Sequence, residues 1–322
     1  MTPRLLKIVR RYGTLIGFAA VVGYFWINLP DTFITGRNLL NISQQMSMLA
    51  VVAFTMTVVM AMGDFDLSVG SMASLAGIVA ALVFIAGDPP ALAIAAALAA
   101  GLLGGLLNGL LVSYVGILPF VATLGAMTVY SGLAFRLSGG KTLFGSAIPS
   151  AFSDFARGGI PLGASGLAMP NLTLVALVVL LLVWLLLEHT VYGRRLYAIG
   201  GNMEAARLAG VRVKPLRLAA FGLTGLGAAG AGLMYASRVA SANPAQGAGL
   251  MLDAIAAVFV GMTISEEGEP RVLNTLAGVL ILGVIGNGLT QMNVDSYVRD
   301  MLTGSIIIVA VAASSLSKAH RR

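Results

Sequence analysis

Cysteine is absent from this chain of 322 residues, and histidine occurs only at His189 and His320. Disulfides, thiolate metal sites and a cysteine nucleophile are therefore excluded, and a metal-dependent enzyme is not indicated. Charge is also scarce, at 10% of residues compared with about 25% in soluble domains. Because hydrophobic residues make up 58% of the chain, the composition predicts an all-α, polytopic membrane protein.

Catalytic motifs are missing as well. GGKT at 139–142 resembles the end of a phosphate-binding loop, but the first glycine of that motif would fall on Phe135. We therefore predict no enzyme and no cofactor in this chain. No segment outside the membrane is long enough for a separate domain, so any ATP must be bound by another chain. The net charge of +7 comes from basic clusters near membrane ends, which indicates contact with lipid rather than nucleic acid.

Ten apolar stretches are candidates for membrane-spanning helices, each of which needs roughly 20 residues. They are separated by polar, Gly or Pro interruptions, and the breaks at 63–71 and 261–271 are the most ambiguous. The basic start resembles a signal peptide, but no small-x-small cleavage site follows it, so we predict that the first span is retained. The predicted spans are 13–30, 44–62, 68–87, 91–115, 117–137, 171–188, 218–237, 250–265, 272–291 and 297–316.

The distribution of basic residues predicts the orientation. With both termini in the cytoplasm, the cytoplasmic segments hold 14 of the 20 Lys and Arg residues, as the positive-inside rule requires. The chain 1–322 is then one membrane domain. Its parts outside the membrane include a cytoplasmic arm at 1–12, an external loop at 138–170 and a cytoplasmic docking loop at 189–217.

An internal similarity appears when the chain is shifted by 179 residues. The shift aligns Gly104, Asn108 and Gly109 with Gly283, Asn287 and Gly288, and three further identities follow. With five spans on each side of the docking loop, the second half would enter the membrane from the opposite side. The pattern predicts inverted five-helix repeats, and chance similarity between Gly-rich helices is the alternative. Within the first copy, Gly101, Gly105 and Gly109 predict a bare helix face for close packing.

Polar residues within the apolar blocks are candidates for a translocation pathway. Intramembrane acids usually face a cavity or a partner, and flanking glycines allow a broken helix. The alternative is that Asp66, Ser68 or Asp253 caps the helix that follows it. For the two asparagines, the alternative is that the amide binds a neighbouring helix. The candidates are Asp64, Asp66, Ser68, Asn108, Asp253 and Asn287.

The docking loop contains signals for a short helix. Asn202 is a plausible N-cap, Glu204 lies in the first turn, and Gly210 stands where the helix should end. Ala205, Leu208 and Ala209 share one face, so a small apolar knob would project from a basic surround and fit a groove on another protein. An ordinary solvated cytoplasmic loop is the alternative.

Several motifs together resemble a known family. They are GDFDLSVGS at 63–71, LNGLLV at 107–112, PFVATLGAMTVYSGLA at 119–134, GRRLYAIGGNMEAARLAGV at 193–211 and LDAIAAVFVG at 252–261. The chain resembles the ribose/xylose/arabinose-type ABC importer permeases of the branched-chain amino acid/ribose permease superfamily, from about residue 35 to the C-terminus.

This resemblance implies a permease of the bacterial inner membrane that works with other chains. The expected partners are an ABC ATPase subunit that binds ATP-Mg, a second permease subunit, and an external binding protein that delivers a monosaccharide or polyol. The resemblance also implies a coupling helix that docks on the ATPase, and replacing Glu204 or Gly201 should uncouple hydrolysis from transport. Its residues would be Gly200, Gly201, Asn202, Glu204, Ala205, Ala206, Arg207, Leu208 and Gly210.

One segment departs from the family pattern. Where family members carry a Gly-rich run, this chain has GMTISEEGEPR at 261–271, with Glu266, Glu267 and Glu269 at the predicted cytoplasmic side. We expect this acidic turn to pair with the basic docking loop of this subunit or of a partner permease.

The predicted mechanism is alternating access, driven inward by nucleotide in the partner ATPase. Nucleosides or a furanosyl signal molecule are alternative substrates within the superfamily. Two other classes stay open: an ion-coupled secondary transporter that uses the pathway acids as carriers, and an inactive assembly subunit.

Overall fold

The computed structural model describes residues 3–144, 148–163, 166–265 and 268–319. Helices dominate these residues, and four short strands form two antiparallel pairs. The helices are α1 (Pro3–Asn28), α2 (Gly36–Ala61), α3 (Val69–Ile85), α4 (Pro90–Leu110), α5 (Pro119–Ser138), α6 (Ser150–Arg157), α7 (Asn171–His189), α8 (Val191–Gly201), α9 (Met203–Leu208), α10 (Val213–Val239), α11 (Leu250–Ile264), α12 (Val272–Gln291) and α13 (Ser296–Ala319). The strands are β1 (Leu143–Phe144), β2 (Gly159–Pro161), β3 (Ala168–Pro170) and β4 (Ser241–Ala242).

Each of the ten predicted spans coincides with a helix, and the all-α polytopic class is confirmed. Six helices in the described part of the chain are long and apolar enough to cross a membrane: α2, α4 with the π-helical turn Leu111–Val115 that extends it, α5, α7, α10 and α12. Helix α2 begins at Gly36, eight residues before the predicted start of its span at residue 44. Thr35 begins this helix, because its hydroxyl accepts a hydrogen bond from the backbone N–H of Asn38 at 3.2 Å.

Two irregular segments interrupt the bundle. The first, 62–68, separates α2 from α3, and Gly63 within it has a φ of +85° that favours glycine. The second, 240–249, separates α10 from α11. The helices that follow, α3 and α11, have only 17 and 15 residues. The break predicted around 63–71 is therefore confirmed.

The repeat is visible in the positions of the helices. Adding 179 to the bounds of α2, α3, α4 and α5 gives the bounds of α10, α11, α12 and α13 within a few residues, and the two irregular segments coincide as well. The packing shows the same relation between the halves. Helix α10 packs on α3 and α4 of the first half, and its counterpart α2 packs on α11 and α12 of the second half. Each half of the chain thus supplies a helix that packs within the other half.

Glycine allows the two halves to come into contact. A side chain at Gly225 of α10 would collide with the carbonyl oxygen of Gly101 in α4 and with the backbone of Gly105. Gly109 lies in the same way against Leu218. The glycine face predicted for α4 is confirmed, and its partner is the glycine-rich face of α10. Small residues of this kind are typical of helix contacts in membranes, where close backbone approach supplies the attraction.

The loop between α5 and α7 is folded onto the bundle. Its strand β1 pairs with β4, which follows α10, and β2 pairs with β3 as a hairpin. Helix α6 packs on α10, and the side-chain amide of Gln44 in α2 donates to the carbonyl oxygen of Ala156 at 2.8 Å. These contacts place the loop over the beginning of α2 and the end of α10.

We predict that Gly225→Ala lowers the stability of the protein by about 1–3 kcal/mol, the usual cost of overpacking, because the new methyl group meets backbone that cannot move aside. Gly132→Ala in α5 is the matched control, since a methyl group there has no atom within 4 Å. Thermal unfolding of the purified protein in detergent measures both. Equal midpoints for the two variants would contradict the proposed contact.

Candidate functional site

The docking loop forms the two helices α8 and α9. Asn202 begins α9, because its side-chain oxygen accepts a hydrogen bond from the backbone N–H of Ala205 at 2.9 Å. Helix α9 ends at Leu208, and Gly210 reverses the chain with a φ of +85°. The short helix, its N-cap and its glycine stop agree with the sequence prediction.

Helix α9 carries an uncovered apolar face. The side chain of Leu208 is 81% exposed, and Ala205 and Ala209 are also exposed, while Ala206 is buried against the rest of the molecule. Glu204 and Arg207 form an exposed ion pair at 3.8 Å, which contributes little to stability. The knob therefore has the predicted shape, with nothing in the described chain covering it.

Two residues of the docking loop lie against the end of α2 and the first irregular segment. On the N-terminal side, any side chain at Gly200 would collide with the carbonyl oxygen of Ala61, the last residue of α2. On the C-terminal side, Arg217 donates to both carboxylate oxygens of Asp64, at 2.8 and 2.9 Å. The two side chains are only 13% and 7% exposed. The pathway candidate Asp64 is thus held in a buried, bidentate ion pair.

A second set of contacts joins the docking loop to α12. Tyr197 of α8 donates to the carbonyl oxygen of Pro270 at 3.1 Å and lies 3.2 Å from a carboxylate oxygen of Glu188. Arg271 forms an ion pair with Glu188 at 2.8 Å. Burial raises the pKa of Tyr197 above its ordinary value, so its hydroxyl stays protonated and remains a donor.

Within this subunit the acidic turn differs from the expectation where it is described, and its pairing with a partner permease stays a prediction. Glu269 pairs with Arg271 of the same turn at 3.7 Å, and not with a basic residue of the docking loop. Residues this close in sequence pair locally at little entropic cost, which a charge count does not reveal. Glu266 and Glu267 lie outside the described residues.

Three of the pathway candidates form one buried cluster. Asp66 is 1% exposed and accepts hydrogen bonds from the backbone N–H and the hydroxyl of Ser68, at 2.9 and 2.6 Å. The amide of Asn108 donates to the hydroxyl oxygen of Ser68 at 2.8 Å, and the Tyr130 hydroxyl lies 3.4 Å from its side-chain oxygen. The cluster joins the first irregular segment to α4 and α5. Asn108 therefore connects neighbouring helices, which is the alternative that the sequence offered for it.

Asp253 occupies a different place. The sequence suggested an N-cap, but α11 begins at Leu250, so Asp253 lies within its first turn. Its backbone N–H donates to the carbonyl oxygen of Gly249 at 3.2 Å. The cap prediction is wrong by one turn, because the preceding Gly-rich segment enters the helix earlier than the apolar pattern indicates. A carboxylate in the first turn is favoured by the helix dipole.

Asn287, the last candidate, lies at a polar cleft with a volume of about 780 Å³. Its side-chain oxygen accepts from Asn38 at 3.1 Å and from Gln291 at 2.8 Å. The cleft lies between the first turns of α2, the end of α12 and the β2–β3 hairpin. Polar side chains that line it include Arg37, Asn38, Asn41, Gln45, Arg157 and Asn287.

Sequence reasoning missed two parts of these sites. One is Arg217, a basic residue of the docking loop, which is the partner of Asp64. The polar side chains of α2 were missed because the span was predicted to begin at residue 44. The repeated spacing of Asn38, Asn41 and Gln45 along one side of a helix is the signal that could have found them.

Comparison with known proteins identifies the chain. The family model described as branched-chain amino acid transport system / permease component matches residues 38–311. The ribose import permease protein of Bacillus subtilis (strain 168) is 38% identical over 94% of this chain and 92% of its own length. The D-allose transport system permease protein of Escherichia coli (strain K12) is 33% identical over 95% and 92%, respectively.

A third relative, the galactose/methyl galactoside import permease protein of Escherichia coli (strain K12), is 36% identical over 90% of each chain. No solved structure matches the chain. The family match covers most of the chain, and the relatives agree with the resemblance drawn from its motifs. The chain therefore belongs to the branched-chain amino acid transport system permease family and is a multi-pass protein of the bacterial inner membrane.

Proposed function

We propose that this chain is the membrane subunit of an ATP-driven importer that moves a monosaccharide or a related polyol inward. The names of its relatives, which are permeases for ribose, allose and galactose, support the substrate class. The observation that carries the proposal is the docking loop. It presents an uncovered apolar knob on α9 and contacts the end of α2 through Gly200 and the following irregular segment through Arg217.

The proposed partners supply what this chain lacks. An ABC ATPase binds ATP-Mg and receives α9, with Gly201 and Asn202 at the start of the docked helix. A second permease subunit completes the pore, and an external binding protein delivers the sugar. The chain contacts membrane lipid and no nucleic acid. It forms one membrane domain over 1–322.

The proposed topology has ten spans in two inverted repeats with both termini in the cytoplasm. The contacts between chain segments support it, because segments predicted on one side lie together. The docking loop contacts residue 61, at the predicted cytoplasmic end of the span 44–62, and residues 64 and 270, which are predicted to be cytoplasmic. The external loop, by contrast, pairs with residues 241–242 and borders the start of α2.

Transport in this proposal proceeds by alternating access. A ligand shifts an equilibrium between two conformations only if it binds one of them more tightly. Nucleotide would act through the ATPase groove, which would hold α9 more tightly in one arrangement. Gly200 and Arg217 would pass the movement of α9 to Ala61 and Asp64. The short sequence distance from Asp64 to Asp66 then links the docking loop to the buried cluster.

The substrate alternatives, a nucleoside or a furanosyl signal molecule, remain within the same transport class. The ion-coupled alternative needs Asp64, Asp66 and Asp253 as carriers, and two of these three are engaged by other side chains. Asp64 is engaged by Arg217, and Asp66 by Ser68. Reconstitution in liposomes separates the two classes: we expect uptake of sugar only with the ATPase, the binding protein and ATP. Uptake by this chain alone along an ion gradient would contradict the proposal.

The absence of cysteine makes the topology directly testable. We expect Leu208→Cys to react with a membrane-impermeant maleimide only after the membrane is opened. Ile160→Cys, on the external loop, should react in intact cells. Both side chains are exposed, at 81% and 56%, so access to the reagent rather than burial decides the result. The reverse pattern would contradict the proposed orientation.

The apolar knob predicts the effect of removing its largest side chain. We expect Leu208→Asp to weaken binding of the ATPase subunit by about 30-fold or more, as for a central interface residue. Its matched control is Leu162→Asp, an exposed leucine of the external loop that should leave binding unchanged. Co-purification at graded ATPase concentrations measures the affinity. Equal binding by both variants would contradict the docking role of α9 and favour the alternative of an ordinary solvated loop.

The buried ion pair predicts a loss of coupling. Asp64→Asn leaves Arg217 without its charge partner, and removing one partner of a buried pair typically lowers stability by about 3–5 kcal/mol. Because the contact between the docking loop and residue 64 is weakened, we expect fewer sugar molecules to be moved per ATP hydrolysed. Restoring opposite charges with Asp64→Arg combined with Arg217→Asp should recover part of the coupling. Arg212→Gln, a change in the same loop without an ion pair in the described chain, is the control. A ratio of transport to hydrolysis unchanged in Asp64→Asn would contradict the transmission role.

A further inference from the structure

The two asparagines that the repeat relates to each other have different surroundings. Asn108 is fully buried, and its amide hydrogen-bonds to Ser68 and Asp66. Asn287 is 96% buried, yet only its oxygen is engaged, by Asn38 and Gln291. Among the described residues, its NH₂ group has no hydrogen-bond partner. This nitrogen is not among the fully buried atoms without a partner, so it is open at the cleft and can donate to a ligand there.

A second observation comes from α2. Asn41 and Gln45 line the same cleft from successive turns of this helix, and neither has a hydrogen-bond partner in the described chain. The neighbouring Gln44, by contrast, is engaged by the carbonyl oxygen of Ala156. Both side chains are exposed at the cleft, so their amides are available to a polar ligand there.

The chemistry of the lining limits the ligand class. Amides offer both donors and acceptors in one plane, which matches the hydroxyl groups of a neutral polyhydroxylated molecule. The volume of about 780 Å³ lies within the usual range for small-molecule sites. Arg37, Arg157 and Asp31 also line the cleft and are exposed, so charge is present in both signs around the amides.

We propose that this cleft binds the sugar on the external side before translocation, with Asn41, Gln45 and Asn287 as its hydrogen-bonding residues. This inference rests on the proposed function and adds the site where substrate selection by the permease takes place. It also assigns different roles to the two repeat-related asparagines: Asn108 binds helices together, and Asn287 binds ligand.

The test uses the complete transporter in liposomes, with ribose, allose and galactose as probes. Asn41→Leu and Gln45→Leu keep the side-chain size and remove the amide. We expect each to lower sugar uptake by about three- to tenfold, the equivalent of one hydrogen bond, and to change the ratio of rates among the three sugars. ATP hydrolysis stimulated by the loaded binding protein should stay within about twofold of the wild type, since no docking residue is changed.

Asn28→Leu is the matched control, because Asn28 is exposed at the same predicted external side and lies outside the cleft lining. If the wild type takes up sugar and the Asn41→Leu and Gln45→Leu variants do so at the same rate as Asn28→Leu, the inference is overturned and the proposed function is not. Parallel loss of uptake and of stimulated hydrolysis would also overturn it, because the cleft would then act in docking of the binding protein. No uptake by the wild type would overturn the proposed function and the inference with it.

Discussion

The close backbone contacts of α10 are the constraint on which the rest of the structure depends. Its glycines lie against three helices: Gly225 against α4, Gly227 against Thr55 of α2 and Gly232 against Ala73 of α3. Lipid offers no hydrophobic driving force between helices, so such contacts hold the bundle together. Since Arg217 lies near the start of the same helix, a displacement of the docking loop acts on a helix that cannot move without its neighbours.

The local features of this chain and its repeat could be predicted from sequence, and the long-range side-chain contacts could not. The N-cap at Asn202, the stop at Gly210 and the bare face of α4 each depend on residues a few positions apart. The ion pair between Asp64 and Arg217 joins residues 153 positions apart. No spacing rule links them, because the chain path between their helices decides whether they meet.

The pathway candidates show the same limit in another form. They form one group in the sequence because each is a polar residue within an apolar block. That pattern shows that burial of the side chain is costly, but it does not show which partner offsets the cost. The structure separates them into an ion pair, a helix-binding cluster, a helix first turn and a cleft. Asn287 reaches the cleft because α12 ends beside α2, while the equivalent Asn108 is covered by Tyr130. Asn108 and Asn287 therefore occupy equivalent positions in the two repeats, but their surroundings differ.

The exchange of helices between the two halves has a consequence for biosynthesis. The glycine face of α4 has its partner on α10, which leaves the ribosome about 120 residues later. At roughly 5–20 residues per second, the first half waits about 6 to 25 seconds in the membrane before that face is covered. During this interval the glycine face of α4 lacks the partner that it has in the complete chain. A pause in translation within the docking loop would lengthen that vulnerable period, and truncated chains that end there would be preferred targets for membrane proteolysis.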